Sequence, residues 1–463
     1  MGTNKTMTSE IVEYLHHLTY EGIPPEVRQE LRRCLLDGFA VMLAGSQAAC
    51  AQVVHRYIEE GRMPGKATVL GTSLTTSASL AALANGVAGH ADDYDDTQLS
   101  SSPDRTYGLL THPTVPALAA TLAVGQQVGA TGREFLTALC AGSEVECKMA
   151  EAIDPSHYLR GFHTTGTIGI FAAAAGAAKL LGLSPEQTRH ALGIAASKSA
   201  GIRVNFGTMT KPYHAGAAAE NGVTAALLAK LGYQADPNAL DGRWGFFQVA
   251  GGGCDPARLV GKLGNPYTLQ RPGVSVKPYP CGSLAHPSMD ALLDLVREHD
   301  IRPGQVEEVR LGAGSNILNP LRYQEPQNEL EAKFSLPFCL AILVLRRRAG
   351  LQEFTPEVVL SRPVREMMKR VRTYHSPEIE AKGGDRIRSR VEVRLKDGRT
   401  LVREAETSRG TPERPMSREE LEGKFTDCAQ RLLTQERTRA ALAAIHRVEE
   451  MPSLDDLAGL FVR

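Results

Sequence analysis

Aromatic residues are scarce in this sequence: they make up 5% of its 463 residues and include a single tryptophan, Trp244. The hydrophobic core must therefore be built mainly from Ala, Leu, Val and Ile. The 44 glycines allow helices to approach one another closely.

Net charge is also absent, because 52 Lys and Arg residues are balanced by 52 Asp and Glu residues. Binding to nucleic acid or to an acidic membrane needs a basic excess, so we expect neither partner. Hydrophobic residues account for 42% and charged residues for 22%, values typical of a soluble globular protein. The length predicts two or three domains.

None of the eight cysteines occurs in a C-x-x-C pair, which argues against zinc ribbons, iron–sulfur clusters and a disulfide scaffold. We therefore expect reduced thiols and a cytoplasmic location. The longest uncharged apolar run, near 167–178, is shorter than the roughly 18 residues that a membrane span needs. The N-terminus lacks the apolar segment of a signal peptide.

The first two-thirds of the chain has the apolar spacing of helices, separated by Gly or Pro. The predicted helices are 25–44, 76–90, 115–128, 131–153, 164–182, 185–200 and 212–232. Several are rich in Ala and Gly, which is typical of closely packed, buried helices.

The composition changes beyond a Gly/Pro-rich crossing at 254–280: residues 161–260 hold 13 charged residues, and residues 341–440 hold 39. Residues 306–314 and 388–406 alternate like strands, the latter as a hairpin turning at Lys396-Asp397-Gly398. Helices are predicted at about 330–348 and 356–373, and again from Ser417 to Phe461.

These patterns predict a mainly α protein. We expect a large all-helical domain formed by both chain ends, 1–265 and 409–463, and a smaller α+β lid domain, 266–408.

Polar side chains cluster in five short stretches of the otherwise apolar region. The stretches are GHADDYDDT (89–97), THPTVPAL (111–118), HYLRGFHTTGTIG (157–169), FGTMTKPYHAG (206–216) and KPYPCGSLAHPSMDA (277–291). Each has a structural explanation as helix caps or turns. None has the spacing of a zinc signature such as H-E-x-x-H.

An Asp-rich motif such as DDYDD can hold Mg²⁺ against a diphosphate, as in terpene synthases. That class also needs a second metal motif and an aromatic pocket. The sequence has neither the motif nor enough aromatics, so we do not expect this function.

The ordered set of these stretches, together with ALGIAASKSAG (191–201) and EAKFSLPF (331–338), resembles the 2-methylcitrate dehydratase (MmgE/PrpD) family from about residue 8 to 450. The family includes 2-methylcitrate dehydratases, cis-aconitate decarboxylases and iminodisuccinate epimerases. The resemblance implies a two-domain fold, a homodimer, a small di- or tricarboxylic acid substrate, and no metal or organic cofactor.

The resemblance also implies the site, residue by residue. Catalytic roles fall on His163, Lys211, His112 and Asp93, and substrate binding on Thr97, Lys277, Tyr279, His214 and His286. We expect Lys211 and His112 to bind carboxylates and stabilise charge, and His163 to act as acid and base. Asp93 would orient a His or Lys and raise its pKa.

Two positions depart from the relatives. Cis-aconitate decarboxylases have a His after Pro-Ala in the lid's Lys-x-x-Pro segment, where this chain has Gly282 after Cys281. Many relatives have Arg where Ala217 follows His214-Ala215-Gly216. The first departure argues against decarboxylation by the same residues, and the second leaves the substrate open.

The sequence therefore predicts a cofactor-independent lyase that dehydrates a 2-methylcitrate-like hydroxy acid. The alternatives are an epimerase of an iminodisuccinate-like dicarboxylate and a decarboxylase of a cis-aconitate-like acid. A non-catalytic helical binding protein is a further class, but it would not need the set Lys211, His112 and His163.

Overall fold

The structure is a computed structural model that describes residues 5–99, 107–384 and 386–463. Helices dominate the chain before residue 260. They are α1 (Met7–His17), α2 (Pro25–Gly45), α3 (Ala49–Gly61), α4 (Ala78–His90), α5 (Tyr107–Leu110), α6 (Thr114–Val128), α7 (Gly132–Ala152), α8 (Ser156–Leu159), α9 (Thr164–Leu181), α10 (Pro185–Lys198), α11 (Thr210–Lys230) and α12 (Phe246–Val249).

Shorter helices and the longer strands follow. The helices are α13 (His286–Glu298), α14 (Ser315–Leu318), α15 (Glu329–Ala332), α16 (Leu336–Arg346), α17 (Pro356–Val359), α18 (Arg362–Met368), α19 (Pro377–Glu380), α20 (Arg418–Ala429), α21 (Gln435–His446) and α22 (Leu454–Gly459). The strands are β1 (Ala67–Thr68), β2 (Thr75–Thr76), β3 (Thr97–Gln98), β4 (Val274–Ser275), β5 (Val306–Ala313), β6 (Val371–His375), β7 (Ser389–Leu395) and β8 (Thr400–Ala405).

The mainly α fold class is confirmed. The seven helices predicted before residue 232 are present as α2, α4, α6, α7, α9, α10 and α11, with shifts of at most two residues at their ends. Local signals explain some of these boundaries. The capping box of Thr131 and Glu134 begins α7, and that of Ser184 and Gln187 begins α10.

Two helix predictions in the second half differ from the structure. The helix predicted at about 330–348 is divided into α15 and α16. Residues 356–373 form two short helices, α17 and α18, and then strand β6. Strand β6 pairs in parallel with β5, so a tertiary contact overrides the local helical pattern. The predicted hairpin is present as β7 and β8, and the four-stranded sheet has the order β6-β5-β7-β8.

Buried hydrophobic residues form two large clusters. The first runs from Met7 to Val276 and resumes from Met416 to Phe461, so α20–α22 share a core with the helices of the first half except α3, whose buried residues lie in two small clusters. The second runs from Tyr279 to Ala405 and also takes in Phe206. The division into domains 1–265, 266–408 and 409–463 stays a prediction.

Close helix packing in the first cluster depends on glycine. A Cβ on Gly86 of α4 would lie 2.7 Å from the Cα of Gly216 on α11, and one on Gly216 would lie 2.5 Å from the carbonyl oxygen of Leu83. Real Cβ atoms do not approach backbone so closely. The two glycines therefore bring α4 and α11 together, and each helix ends or begins at the site described below.

The sequence predicted no membrane span, because the apolar run near 167–178 is too short. Helix α9 extends beyond that run at both ends. Its 18 residues, Thr164–Leu181, have the length and apolar composition of a membrane span, but 89% of them are buried inside the protein. They belong to the first core cluster, which explains the composition of α9 by packing against neighbouring helices.

Candidate active site

Five helix and strand ends converge at one buried place. His90 is the last residue of α4, His112 precedes α6, His163 precedes α9 and Lys211 is the second residue of α11. Strand β3 pairs with β4, with Thr97 opposite Ser275, and this ladder brings the segment after β4 to the same place. Polar side chains at these ends meet because the helix interiors pack as an apolar core.

Asp93 is the centre of the arrangement. Its Oδ1 atom lies 2.6 Å from Nζ of Lys211 and 3.1 Å from Nζ of Lys277, which also donates to the Asp93 carbonyl at 2.9 Å. Burial alone would raise the pKa of Asp93, but the charges of the two lysines outweigh it and hold this pKa well below its usual range. Oδ2 is buried and has no hydrogen-bond partner among the described residues.

The backbone at Asp93 is in the left-handed region, with φ of 50°. A residue with a short polar side chain tolerates this conformation better than others, and such strain is typical of functional sites. The conformation turns the chain sharply after α4, so that Asp93 and Asp95 face different partners.

His90 links Asp95 to Lys211. Its Nδ1 lies 2.9 Å from Oδ2 of Asp95, and its Nε2 lies 2.8 Å from Nζ of Lys211. Burial lowers the pKa of His90 to about 3, against the opposing charge of Asp95. The ring is therefore neutral. Since a carboxylate only accepts and an ammonium only donates, Nδ1 carries the proton and Nε2 accepts from Lys211.

Lys211 thus directs one N–H to His90 and one to Asp93. Burial lowers the pKa of Lys211, and the charge of Asp93 opposes that shift. The sequence predicted that Asp93 raises the pKa of a neighbouring His or Lys. Its charge does raise the pKa of Lys211, but burial lowers that pKa by more, so the net shift is downward. The ring centroids of Phe206 and Phe334 lie 5.6 and 5.5 Å from Nζ.

His112 is the second imidazole on Asp95. Its Nδ1 lies 3.2 Å from Oδ2 of Asp95, but the angle is not that of a formed hydrogen bond. Burial lowers the pKa of His112 although Asp95 opposes the shift. Burial alone would raise the pKa of Asp95, yet the two histidines hold this pKa well below its usual range.

His163 pairs with His214, Nδ1 to Nδ1, at 2.9 Å. One ring donates and the other accepts, so at most one of the two is protonated at these atoms. Burial is the main cause of the low pKa of both rings, helped by the charge of Lys211, and it lowers the pKa of His214 to about 4. The pairing leaves Nε2 of His163 for other partners.

A cavity of about 40 Å³ lies among these groups. Its walls are Asp93, Thr97, Leu110, His112, Tyr158, His163, Phe206, Lys211, Lys277, Gly282, Ser283, Leu284, Pro320, Leu321 and Phe334. Both core clusters therefore contribute to the walls. The space has room for a few water molecules and is smaller than the 300 Å³ or more that is typical of small-molecule pockets.

Six of the nine residues that the sequence predicts for the site line this cavity: Asp93, Thr97, His112, His163, Lys211 and Lys277. His214 lies behind His163. The other two predicted substrate contacts lie outside the lining. The Tyr279 hydroxyl donates to Asp290 at 2.6 Å, and Nε2 of His286 lies 3.1 Å from the Cys281 carbonyl.

Other lining residues were not predicted as site residues. Tyr158 lies in the stretch HYLRGFHTTGTIG but was not assigned a role. The Ser283 hydroxyl lies 2.8 Å from the Thr97 hydroxyl. Phe206 and Phe334 lie in two of the stretches that carry the resemblance, FGTMTKPYHAG and EAKFSLPF, but an aromatic residue beside a helix usually belongs to the core and was given no role. His90 and Asp95, beside the cavity, belong to the Asp-rich stretch.

Among the residues that the structure describes, one group could hold a metal ion. Ligand atoms of His90, Asp93 and His112 all lie within 4.8 Å of one another. However, the Lys211 ammonium contacts both His90 and Asp93, so a cation there would have to displace it and accept its repulsion. The donor set fits an ammonium better than a divalent metal.

Comparison with known proteins agrees with the sequence resemblance. The MmgE/PrpD N-terminal domain matches residues 9–259, and the MmgE/PrpD C-terminal domain matches residues 279–450. The chain belongs to the MmgE/PrpD family.

The relatives include the cis-aconitate decarboxylases of Mus musculus and Homo sapiens, each 27% identical to this chain over 98% of its length and over 93% and 94% of their own. A cis-aconitate decarboxylase from Aspergillus terreus is 26% identical over 94% of this chain and 91% of its own. A lyase function fits these relatives, and all three are named as carboxy-lyases rather than hydro-lyases.

Proposed function

We propose that this protein is a carboxy-lyase that removes CO₂ from a cis-aconitate-like tricarboxylic acid. The observation that carries the proposal is the pair of buried lysines, Lys211 and Lys277, that share the carboxylate of Asp93 at the wall of the cavity. Full-length similarity to three cis-aconitate decarboxylases favours this reaction over the dehydration that the sequence patterns first suggested.

The lysines suit the electrostatics of decarboxylation. When the C–C bond to the departing carboxylate breaks, CO₂ leaves and the electron pair stays on carbon, conjugated to a double bond and a further carboxylate. Lys211 and Lys277 would stabilise that charge in a buried site, where a fixed charge acts more strongly than in bulk water. The N–H of Lys211 that faces neither His90 nor Asp93 is the one available to substrate.

A proton must then reach carbon. His163 is the candidate donor because it lines the cavity and its Nε2 is not used by His214. Its low pKa makes the imidazole neutral before substrate binds. Substrate carboxylates would favour protonation of the ring, which would then deliver one proton to the carbanion.

The cavity must enlarge to admit a six-carbon acid. Its walls come from both core clusters, so we propose that the clusters belong to separate domains that part when substrate enters, as the predicted lid arrangement requires. The homodimer and the cytoplasmic location stay predictions.

Dehydration is the second candidate, and Gly282 favours it. This residue lines the cavity at the position where the sequence comparison places a histidine in cis-aconitate decarboxylases. A chain without that imidazole has one acid–base group fewer for protonating carbon. Epimerisation of a dicarboxylate remains the third candidate.

Separate incubations of purified protein in D₂O with cis-aconitate, with 2-methylcitrate and with an iminodisuccinate-like dicarboxylate distinguish the candidates. A carboxy-lyase releases one CO₂ per product molecule and incorporates one carbon-bound deuterium, which sealed-vessel CO₂ measurement and NMR both count. Consumption of 2-methylcitrate with a new alkene and no CO₂ would replace the proposal by dehydration. Deuterium entry into a dicarboxylate with neither CO₂ nor alkene would replace it by epimerisation.

Two variants test the site in the same assay. Lys211→Ala and His163→Ala should lower the rate by about 10²–10⁴-fold without loss of fold. Lys230→Ala, an exposed lysine at the far end of α11, is the matched control and should keep the wild-type rate. A Lys211→Ala or His163→Ala variant with more than about a tenth of wild-type activity would remove that residue from the mechanism.

A further inference from the structure

Tyr158 on α8 lines the cavity, and its hydroxyl is buried without a hydrogen-bond partner in the described part of the chain. Leaving a buried hydroxyl unpaired is costly. Burial raises the pKa of Tyr158 to about 12, so the hydroxyl is protonated at neutral pH and can donate. A partner that arrives with the substrate would satisfy it.

Arg203 stacks on Tyr158 from behind. Its guanidinium carbon lies 3.8 Å from the centroid of the phenol ring, and its Nη1 donates to the Tyr158 carbonyl at 2.9 Å. The contact is fixed by the backbone, because the Arg203 amide donates to the Gly161 carbonyl at 2.8 Å. A planar guanidinium that packs on an aromatic face places a permanent charge next to the ring.

The charges around the cavity make Arg203 distinctive. The ammonium groups of Lys211 and Lys277 are balanced by the carboxylates of Asp93 and Asp95, and the imidazoles beside them are neutral. Within residues 5–99, 107–384 and 386–463, no carboxylate forms an ion pair with Arg203, and its Nε is buried without a partner. Arg203 therefore supplies the positive charge that this neighbourhood otherwise lacks.

We propose that Tyr158, backed by Arg203, is a specificity-determining contact that recognises the central carboxylate of a tricarboxylic acid. The hydroxyl donates a hydrogen bond to the carboxylate, and the guanidinium charge favours the anion across the ring. Lys211 and Lys277 hold the rest of the substrate. This inference rests on the proposed function, because it assigns the substrate class of the same site.

The competing explanation is structural. Arg203 would then serve only to satisfy the Tyr158 carbonyl, and the hydroxyl would be an unpaired group with no ligand. Under that explanation, loss of the hydroxyl changes the affinity for every acid by the same small factor or not at all.

Binding of two unreactive acids distinguishes these explanations. Propane-1,2,3-tricarboxylate keeps three carboxylates, and pentanedioate lacks the central one. With isothermal titration calorimetry on full-length protein, Tyr158→Phe should weaken binding of the tricarboxylate by about 10-fold to 100-fold, the usual range for a hydrogen bond to a charged group. Binding of the dicarboxylate should change by less than about two-fold.

Variants of Arg203 give an independent reading. Arg203→Gln should reduce affinity for the tricarboxylate more than for the dicarboxylate, and Arg203→Lys should recover part of the loss, because it keeps the charge. Tyr213→Phe is the matched control, since Tyr213 on α11 is 46% exposed and is not a lining residue. Thermal unfolding of each variant checks the fold.

The outcomes separate the two proposals. Equal effects on both acids, or none, with wild-type binding intact would overturn the Tyr158 contact alone and leave the lyase in place. Wild-type protein that binds neither acid and releases no CO₂ would overturn the proposed function, and this inference with it.

Discussion

The Nε2 atom of His90 lies 2.8 Å from Nζ of Lys211, while the Nδ1 atom of the same ring lies 2.9 Å from the carboxylate of Asp95. A buried aspartate thus fixes the tautomer of an imidazole, and that imidazole fixes one N–H of the ammonium. The three side chains come from the end of α4, the turn after it and the start of α11. Lys211 is positioned by this chain of contacts before any substrate arrives.

Substitution of His90 by Phe should therefore change the pH dependence of the reaction. The variant removes the acceptor for Lys211, which makes the ammonium less stable, so the Lys211 pKa falls further. We expect kcat to decrease by about 10-fold to 100-fold, as for other residues that orient an active group, and the basic limb of the pH–rate profile to move to lower pH.

His55→Phe is the control for that experiment. His55 on α3 is also buried, and burial lowers its pKa to about 4, but it lies outside the cavity lining. Its substitution should leave the pH–rate profile in place. An unshifted basic limb in His90→Phe would mean that His90 only fills space.

Two substitutions of Asp93 distinguish the contribution of its backbone conformation from that of its charge. Asp93→Asn keeps a residue that tolerates a φ of 50° and keeps an oxygen for the lysines, whereas Asp93→Ala does neither. Both variants should lose activity, because Lys211 and Lys277 no longer share a negative charge. In urea unfolding at pH 7, Asp93→Ala should be the less stable by about 1–2 kcal/mol, the cost of the left-handed conformation. Equal stabilities would argue against backbone strain at this turn.

Three buried histidines should contribute less to stability as the pH is lowered from 7 to 5. The pKa values of His55, His90 and His214 are lowered to about 4, 3 and 4 in the folded protein, so these rings stay neutral at pH 5. In the unfolded chain each has its ordinary pKa of about 6.5 and takes up a proton. At these three sites the unfolded state thus binds more protons in this window, so their contribution to the free energy of unfolding rises with pH.

The slope of the free energy of unfolding against pH, compared between wild type and variants, identifies the contribution of each histidine. Urea unfolding at several pH values between 5 and 7 measures the protons taken up on unfolding. His55→Phe should reduce the number by close to one near pH 5, without involving the site. A variant with the wild-type slope would mean that His55 is protonated in the folded protein.

Local patterns predicted the helical body well and the second half less well. Helices such as α9 and α11 were predicted because their apolar spacing and Gly or Pro boundaries are local properties. Strand β6 was missed because its partner β5 lies some sixty residues earlier, and no pattern within 356–373 records that pairing.

The candidate site, like the fold, was predicted only in part from the sequence. His112, His163 and Lys211 were identified through motifs, since each lies at a helix end that the sequence marks. Tyr279 and His286 share a motif with Lys277 but point to Asp290 and Cys281. The stacking of Arg203 on Tyr158 joins residues 45 apart, with α9 and α10 between them, and spacing alone does not predict it.

Two buried glutamates on α7 provide a matched test of polar burial. Both carboxyl oxygens of Glu146 are buried without a hydrogen-bond partner among the described residues. Glu144, two residues earlier on the same helix, accepts from the backbone amides of Gly264 and Thr268 at 2.9 and 2.8 Å. Burial, helped by the charge of Asp96, raises the pKa of Glu146 well above its usual range.

Glu146→Leu should therefore stabilise the protein by about 1–3 kcal/mol, the cost of an unpaired buried polar group, whereas Glu144→Leu should destabilise it because two amides lose their acceptor. The gain should be larger at pH 7 than at pH 5. Above its ordinary pKa the unfolded glutamate loses its proton while the folded one keeps it, so this residue lowers wild-type stability as the pH rises. Urea unfolding of the two variants at both pH values measures the difference. If Glu146→Leu were destabilising at both, a buried water would have to be the hydrogen-bond partner of the Glu146 carboxyl group.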